Sequence, residues 1–217
     1  MIIYYSGIRN RHHLSNDRKE HDTLNNIDHL LTIHFRIELR AWLQQHSNDM
    51  PYCWVIVSIT PVPNILLYLD VVEECLCFGW IDGVKKKISD TQLAQRLSPR
   101  HPKSSWTELN KERVRRLERL GLMTEEGRKV LPDMNEEHFI IHPHILQALQ
   151  EEPEVYAHFL TFPALYQRVR IDTIQSMEHQ PEVFHNRLQK LITNTKANKM
   201  YGQWHDNGRL LDAHDLL

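Results

Sequence analysis

Three arginines, Arg96, Arg100 and Arg113, lie close in the chain to Asp82, Gln95 and Asn110 and to the indoles Trp80 and Trp106. Guanidinium groups hold carboxylates and phosphates through paired hydrogen bonds, an indole supplies a flat wall, and amides fix orientation. These eight residues therefore outline a pocket for a small anionic molecule. Asp82 is the best candidate for acid–base work, although three neighbouring cations would lower its pKa and suit it to orienting a substrate rather than donating a proton. No dinucleotide fingerprint, phosphate-binding loop or serine nucleophile motif occurs, so no cofactor and no defined reaction is expected. The run His138-x-x-x-His142-x-His144 has metal-like content. Pro143 interrupts the helix that would align it, and no metal site is expected there.

The elements that must position these groups follow from periodicity. Phe35, Leu39, Trp42 and Leu43 recur at helical spacing and predict an amphipathic helix ending near His46. Tyr52 to Ile59 reads as a buried strand, and the following T-P-V-P-N stops it. Leu66 to Phe78 reads as a helix ended by Gly79, and Val84–Ile88 with Thr91–Leu97 as a hairpin turning at Ser89-Asp90. Alternation places Leu93, Gln95 and Leu97 on one face of the hairpin and Gln92, Ala94 and Arg96 on the other.

Ser105-x-x-Glu108 announces the next helix as a capping box. On a helical wheel, Trp106, Leu109, Val114, Leu117 and Leu120 form one arc, and Asn110 and Arg113 fall inside it. Lys111, Arg115 and Arg119 fall opposite. An arginine aimed at an apolar interior needs a partner. Either Arg113 forms a buried pair, for instance with Asp82, Glu73 or Glu74, or it clamps a ligand beside Trp106. Further helices are expected at His144–Glu151, Glu154–Phe162, Ala164–Glu178 and Glu182–Asn198, opened by first-turn prolines.

The expected fold class is α+β: a small antiparallel sheet covered by helices, followed by a C-terminal helical subdomain. The divisions are a flexible extension at 1–28, an α+β core at 29–132, the helical subdomain at 133–199 and a tail at 200–217. Among 217 residues, 41% are hydrophobic and 25% charged, enough to bury a core. The net charge of −2 conceals a division, because Val84 to Gly121 carries 11 Lys/Arg against 4 Asp/Glu while the remainder carries 15 against 24. A local basic region on an acidic chain favours a small anion over a long phosphate backbone. The alternative is a nucleic-acid or acidic-protein binding module that uses Lys85, Lys87, Lys111, Arg115 and Arg119 as a basic face. No membrane-spanning or signal-like stretch occurs, and Cys53, Cys75 and Cys77 read as reduced buried thiols, so a cytoplasmic location is expected.

The strings V-E-E-C-L-C-F-G-W-I-D-G-V-K-K-K, L-A-Q-R-L-S-P-R and S-S-W-T-E-L-N-K-E-R-V-R-R-L, between Val72 and Leu117, resemble the bacterial YdeI/OmpD-associated, or bacteriocin-protection, family. The resemblance runs from about Leu31 to about Leu211 and includes all eight pocket candidates. It implies an association with envelope stress or antimicrobial-peptide tolerance, and implies no reaction or ligand. One departure is T-P-V-P-N-I-L-L-Y-L-D, where many members carry a Gly/Lys-rich stretch.

Overall fold

A computed structural model describes residues 27–211. They divide into two compact units that meet at Arg100/His101. In the first unit, α1 (Arg36–His46) precedes β1 (Cys53–Ser58), a two-residue β2 (Leu66–Leu67), α2 (Tyr68–Cys77), β3 (Trp80–Lys87) and β4 (Leu93–Pro99). The strands form one sheet in the order β2-β1-β4-β3. The two pairings β1–β4 and β3–β4 are antiparallel, as expected. Leu66 and Leu67, read from the sequence as the start of a helix, pair parallel to Val57 and Ser58 instead, so the sheet is mixed. A strand of two residues has no period to betray it.

Alternation along β1 and β4 separates two faces. Cys53, Val55, Val57, Gln95 and Leu97 are buried on one, with the nearly continuous apolar side of α2. Trp54 and Ala94 share the other with Ile27, Leu30, Tyr52 and Ile56. Gly79, with φ of 70°, ends α2 and turns the chain directly into β3, a conformation glycine adopts without strain. The β3–β4 connection is longer than the two-residue turn expected, because pairing stops at Lys87 and Leu93 and the Ile88 and Ser89 amides both donate to the Gln92 carbonyl.

The second unit is helical: α3 (Glu108–Arg119), a short α4 (Glu125–Arg128), α5 (Pro143–Gln150), α6 (Pro153–Thr161), α7 (Ala164–Gln175) and α8 (Pro181–Lys196). Pro143, Pro153 and Pro181 each open a helix at its first turn, where the missing N–H costs nothing. The cap of α3 is Thr107, whose hydroxyl accepts from the Asn110 amide, rather than Ser105. Gly121, at φ of 67°, closes the helix, with the Leu122 amide returning to the Leu117 carbonyl.

Ile145, Leu149, Phe159, Tyr166, Ile171, Leu191 and Trp204 build the core of this unit. Trp204 lies in the stretch read as a tail, yet it meets Tyr166 edge-on at 5.5 Å and is buried. Helix α3, assigned from the sequence to the α+β core, falls in the helical unit, because Glu108 and Glu112 face Arg168 of α7. The extension expected at 1–28 lies outside the described residues except for Ile27 and Asp28. Ile27 is buried, and Asp28 accepts a hydrogen bond from the Tyr52 hydroxyl. Among the described residues no helix is long and apolar enough to cross a membrane.

Candidate functional site

Of the eight residues singled out in the sequence, five belong to the first unit, and most are engaged within it. The Trp80 indole is buried and donates from Nε1 to the Ser47 carbonyl at 3.0 Å, with Trp42 edge-on to it. Gln95, aimed inward as alternation requires, donates from Nε2 to the Gly83 carbonyl at 2.8 Å. That contact clamps the irregularity between Asp82 and Lys85, where the pairing register of β3 shifts. Arg96 lies on the opposite face, with its guanidinium 4.2 Å from the Tyr52 ring centroid. Asp82 accepts from the Tyr68 hydroxyl at 2.6 Å. Arg100 is buried, and burial pulls its pKa below the ordinary guanidinium value while the Asp82 charge pulls it back up.

The other three belong to the second unit. Arg113 does face the interior, and its partner is Asp206: Nε to Oδ2 at 2.6 Å and Nη2 to Oδ1 at 2.8 Å, a bidentate pair. Asn110 completes it by accepting from Arg113 Nη1 at 2.6 Å. Asp206 is 4% exposed and holds the backbone at φ of 49°. Glu73 and Glu74, offered by the sequence as partners for Arg113, are bonded to Arg36, with Arg40 also on Glu74. Trp106 is half-buried ahead of the α3 cap.

The basic face expected opposite Arg113 is largely consumed by carboxylates. Lys111 pairs with Glu108 at 2.8 Å. Arg115 reaches both Glu112 and Glu136, while Arg119 stands 3.8 Å from Glu112. Arg168 adds contacts to Glu108, Glu112 and Glu136. The H-x-x-x-H-x-H run does not converge, because His138 turns to Asp133. No group of three His, Cys, Asp or Glu able to hold a metal occurs among the described residues. The three cysteines form no disulfide and are buried; burial pushes Cys53 up to about 12 and Cys77 to about 11, which leaves them inert as nucleophiles.

Open space in the first unit lies elsewhere. A cleft of about 470 Å³ runs between the N-terminal end of α1 and the bend that carries the chain from β1 into β2. Pro61, Pro63, Ile65 and Phe35 line it, with Arg36 and Asp70 as its charged members. A second cleft of about 270 Å³ shares His34, Asn64 and Ile65 with the first and reaches Leu30, Ile56 and Gln92. The His34 ring holds the two walls together through its Nδ1 and the Asn64 carbonyl, 2.9 Å apart.

Arg36 sits on a floor of carboxylates: Nη1 contacts Asp70 at 3.4 Å and Glu73 at 2.6 Å, and Nε contacts Glu74 at 2.6 Å. Burial works against its charge, yet Glu74 and Glu73 hold its pKa above the usual value. Its Nη2 has no partner. Sequence reasoning missed this site, since Arg36 and Asp70 are far apart in the chain and ordinary in type. The one visible signal was the pair of prolines in T-P-V-P-N, which stops β1 and builds the cleft wall.

The comparisons with known proteins divide the chain in two. Residues 138–198 match the family model described as bacteriocin-protection, YdeI or OmpD-associated. Residues 31–130 match a domain of unknown function (DUF8412). The strings that carry the sequence resemblance, between Val72 and Leu117, thus fall in the latter match, and the bacteriocin-protection match covers the helical segment from His138 to Asn198. The two matches are separated by residues 131–137, whereas the compact units part at Arg100/His101. No curated protein and no solved structure matches the chain.

Proposed function

We propose that the chain is a binding protein acting in bacteriocin or envelope-stress tolerance, and that its principal ligand site is the cleft between α1 and the Pro61–Leu67 bend. The observation that carries this reading is the cleft itself: about 470 Å³, with proline and aliphatic walls and a charged floor. Such a site suits a short apolar peptide segment or a molecule of similar shape.

The charge of the ligand expected from the sequence changes with this location. The two charged residues of the lining, Arg36 and Asp70, balance, and the Arg36 guanidinium is already held by Asp70, Glu73 and Glu74, so the cleft offers no surplus cation to an anion. A neutral or cationic ligand is favoured there. Three reduced thiols in the folded chain support a cytoplasmic location, which cell fractionation tests.

Titrating the full chain with capped apolar tetrapeptides, followed by NMR, tests the site. Saturable shifts at Phe35 and Ile65, abolished in Ile65→Glu, are expected. A free carboxylate analogue that binds the cleft more tightly than the capped peptide would overturn the reading. The family name also sets a phenotype: deletion of the gene raises sensitivity to bacteriocin, and an Ile65→Glu copy fails to restore tolerance.

A further inference from the structure

The second unit carries a smaller cleft, of about 260 Å³, lined by His142, His144, Glu178, Pro181 and Phe184. Every one of these residues lies within the segment 138–198. We infer that this cleft binds an alkylammonium group, with the charge at Glu178 and the methylene stem laid across Phe184 and Pro181.

The argument begins with the aromatic wall. The His142 ring stands edge-on to Phe184 at 5.6 Å and to His144 at 5.2 Å, so three π-systems surround one small space. The Phe184 face carries negative potential and attracts a cation. Glu178, at the rim, supplies a full negative charge and is solvent-accessible, with 62% of its side chain exposed. Its Oε1 lies 3.6 Å from His142 Nε2, beyond hydrogen-bonding distance, so the carboxylate retains acceptor capacity.

The His144 amide donates to His142 Nδ1, which leaves Nε2 as the ring nitrogen that faces Glu178.

An anion fits less well, although α5 and α8 both begin at this cleft. Pro143 and Pro181 occupy their first positions and have no N–H to offer. In α5 the next two amides are already bound: His144 to the His142 ring and Ile145 to the His142 carbonyl. In α8 the Phe184 amide returns to the Gln180 carbonyl. The His142 amide, finally, donates to Gln175 Oε1. Glu178 is the one full charge among the lining residues, so the sign of the site is negative.

An alkylammonium group is offered both by free amines and by lysine side chains, and the test separates them. The full chain, labelled for NMR at pH 7.5, is titrated with n-butylammonium, with butyrate and with acetyl-Gly-Lys-Gly-amide. n-Butylammonium is expected to move the His142 and His144 ring signals and the Phe184 amide saturably, and butyrate to leave them still. Glu178→Gln, at an exposed position that folding tolerates, is expected to weaken binding at least fivefold, and Phe184→Leu about threefold through loss of the ring face. Tighter binding of the lysine peptide than of n-butylammonium assigns the site to a partner protein, and the reverse assigns it to a free amine. Equal binding by wild type and Glu178→Gln, or shifts produced by butyrate, overturns the inference.

Discussion

Both units bury glutamates or aspartates and answer them with arginines, but they do so in opposite ways. In the first, Glu73 and Glu74 are buried while Arg36 and Arg40 approach from the surface, with 30% and 25% of their side chains exposed. In the second, Arg113 and Asp206 are both interior, at 12% and 4%. The first arrangement leaves a guanidinium edge along a cleft; the second closes completely and pins the chain's last described turn to α3. The same pairing chemistry therefore makes a floor in one unit and a clasp in the other, and exposure of the cation separates them.

The largest expected effect breaks the clasp. Asp206→Ala leaves Arg113 charged and buried with only Asn110 to accept from it, and removing one partner of a buried pair costs about 3–5 kcal/mol. Denaturant unfolding followed by the signals of the second unit should show that loss, with the first unit unmoved. A loss below about 1 kcal/mol would mean that Arg113 reaches solvent, and the contrast between the units would fail.

A smaller effect is expected at the floor. Arg36→Ala should cost about 1–2 kcal/mol, because Arg40 still answers Glu74 and water reaches the vacated position. The loss should be read in the first unit alone. It should also deepen the cleft and tighten a cationic ligand there, since the floor becomes more negative.

How far each arrangement was legible in the sequence follows from distance along the chain. The wheel placed Arg113 and Asn110 inward and the strand alternation placed Gln95 inward, because both depend on neighbours within a few residues. The partner of Arg113 is 93 residues away, in a stretch whose conformation depends on positive φ at Asp206 and Asn207 rather than on any period. Glu73 and Glu74, offered as partners for Arg113, are answered instead by Arg36 and Arg40 of α1, more than thirty residues away in the chain. The mixed sheet was hidden in two residues. For Trp80, Gln95, Asn110 and Arg113, among the eight residues proposed to bind a ligand, what the sequence displayed was the demand of inward polar groups for partners. The cleft was built instead from prolines and an ordinary α1 arginine.

Asp172 sharpens the comparison through pH. Burial raises its pKa, although its carboxylate accepts from the Glu108 amide at 3.1 Å. An acid with a raised folded-state pKa is more readily protonated folded than unfolded, so its burden on stability is present above the folded pKa and gone below the unfolded value near 3.8. Asp172→Asn, which keeps an accepting oxygen, should stabilise the second unit at pH 7, with the gain fading as the pH falls towards 4. A gain that is flat with pH would place the cause in packing rather than charge.

The smallest effects are expected on the outer side of α3, where the basic residues meet acids of their own unit. Lys111→Ala should cost about 0.5–1 kcal/mol, since its amine sits 2.8 Å from Glu108 with 20% of the side chain exposed. Arg119, half-exposed and 3.8 Å from Glu112, should cost less. A polyanion would have to displace Glu108, Glu112 and Glu136 to reach this face, and their charges repel it. The double variant Lys111→Ala, Arg119→Ala should therefore elute from heparin at the same salt concentration as the wild type. Earlier elution of the variant, with a steep dependence on salt, would show that the face is available to phosphate after all and would restore the nucleic-acid reading to the second unit.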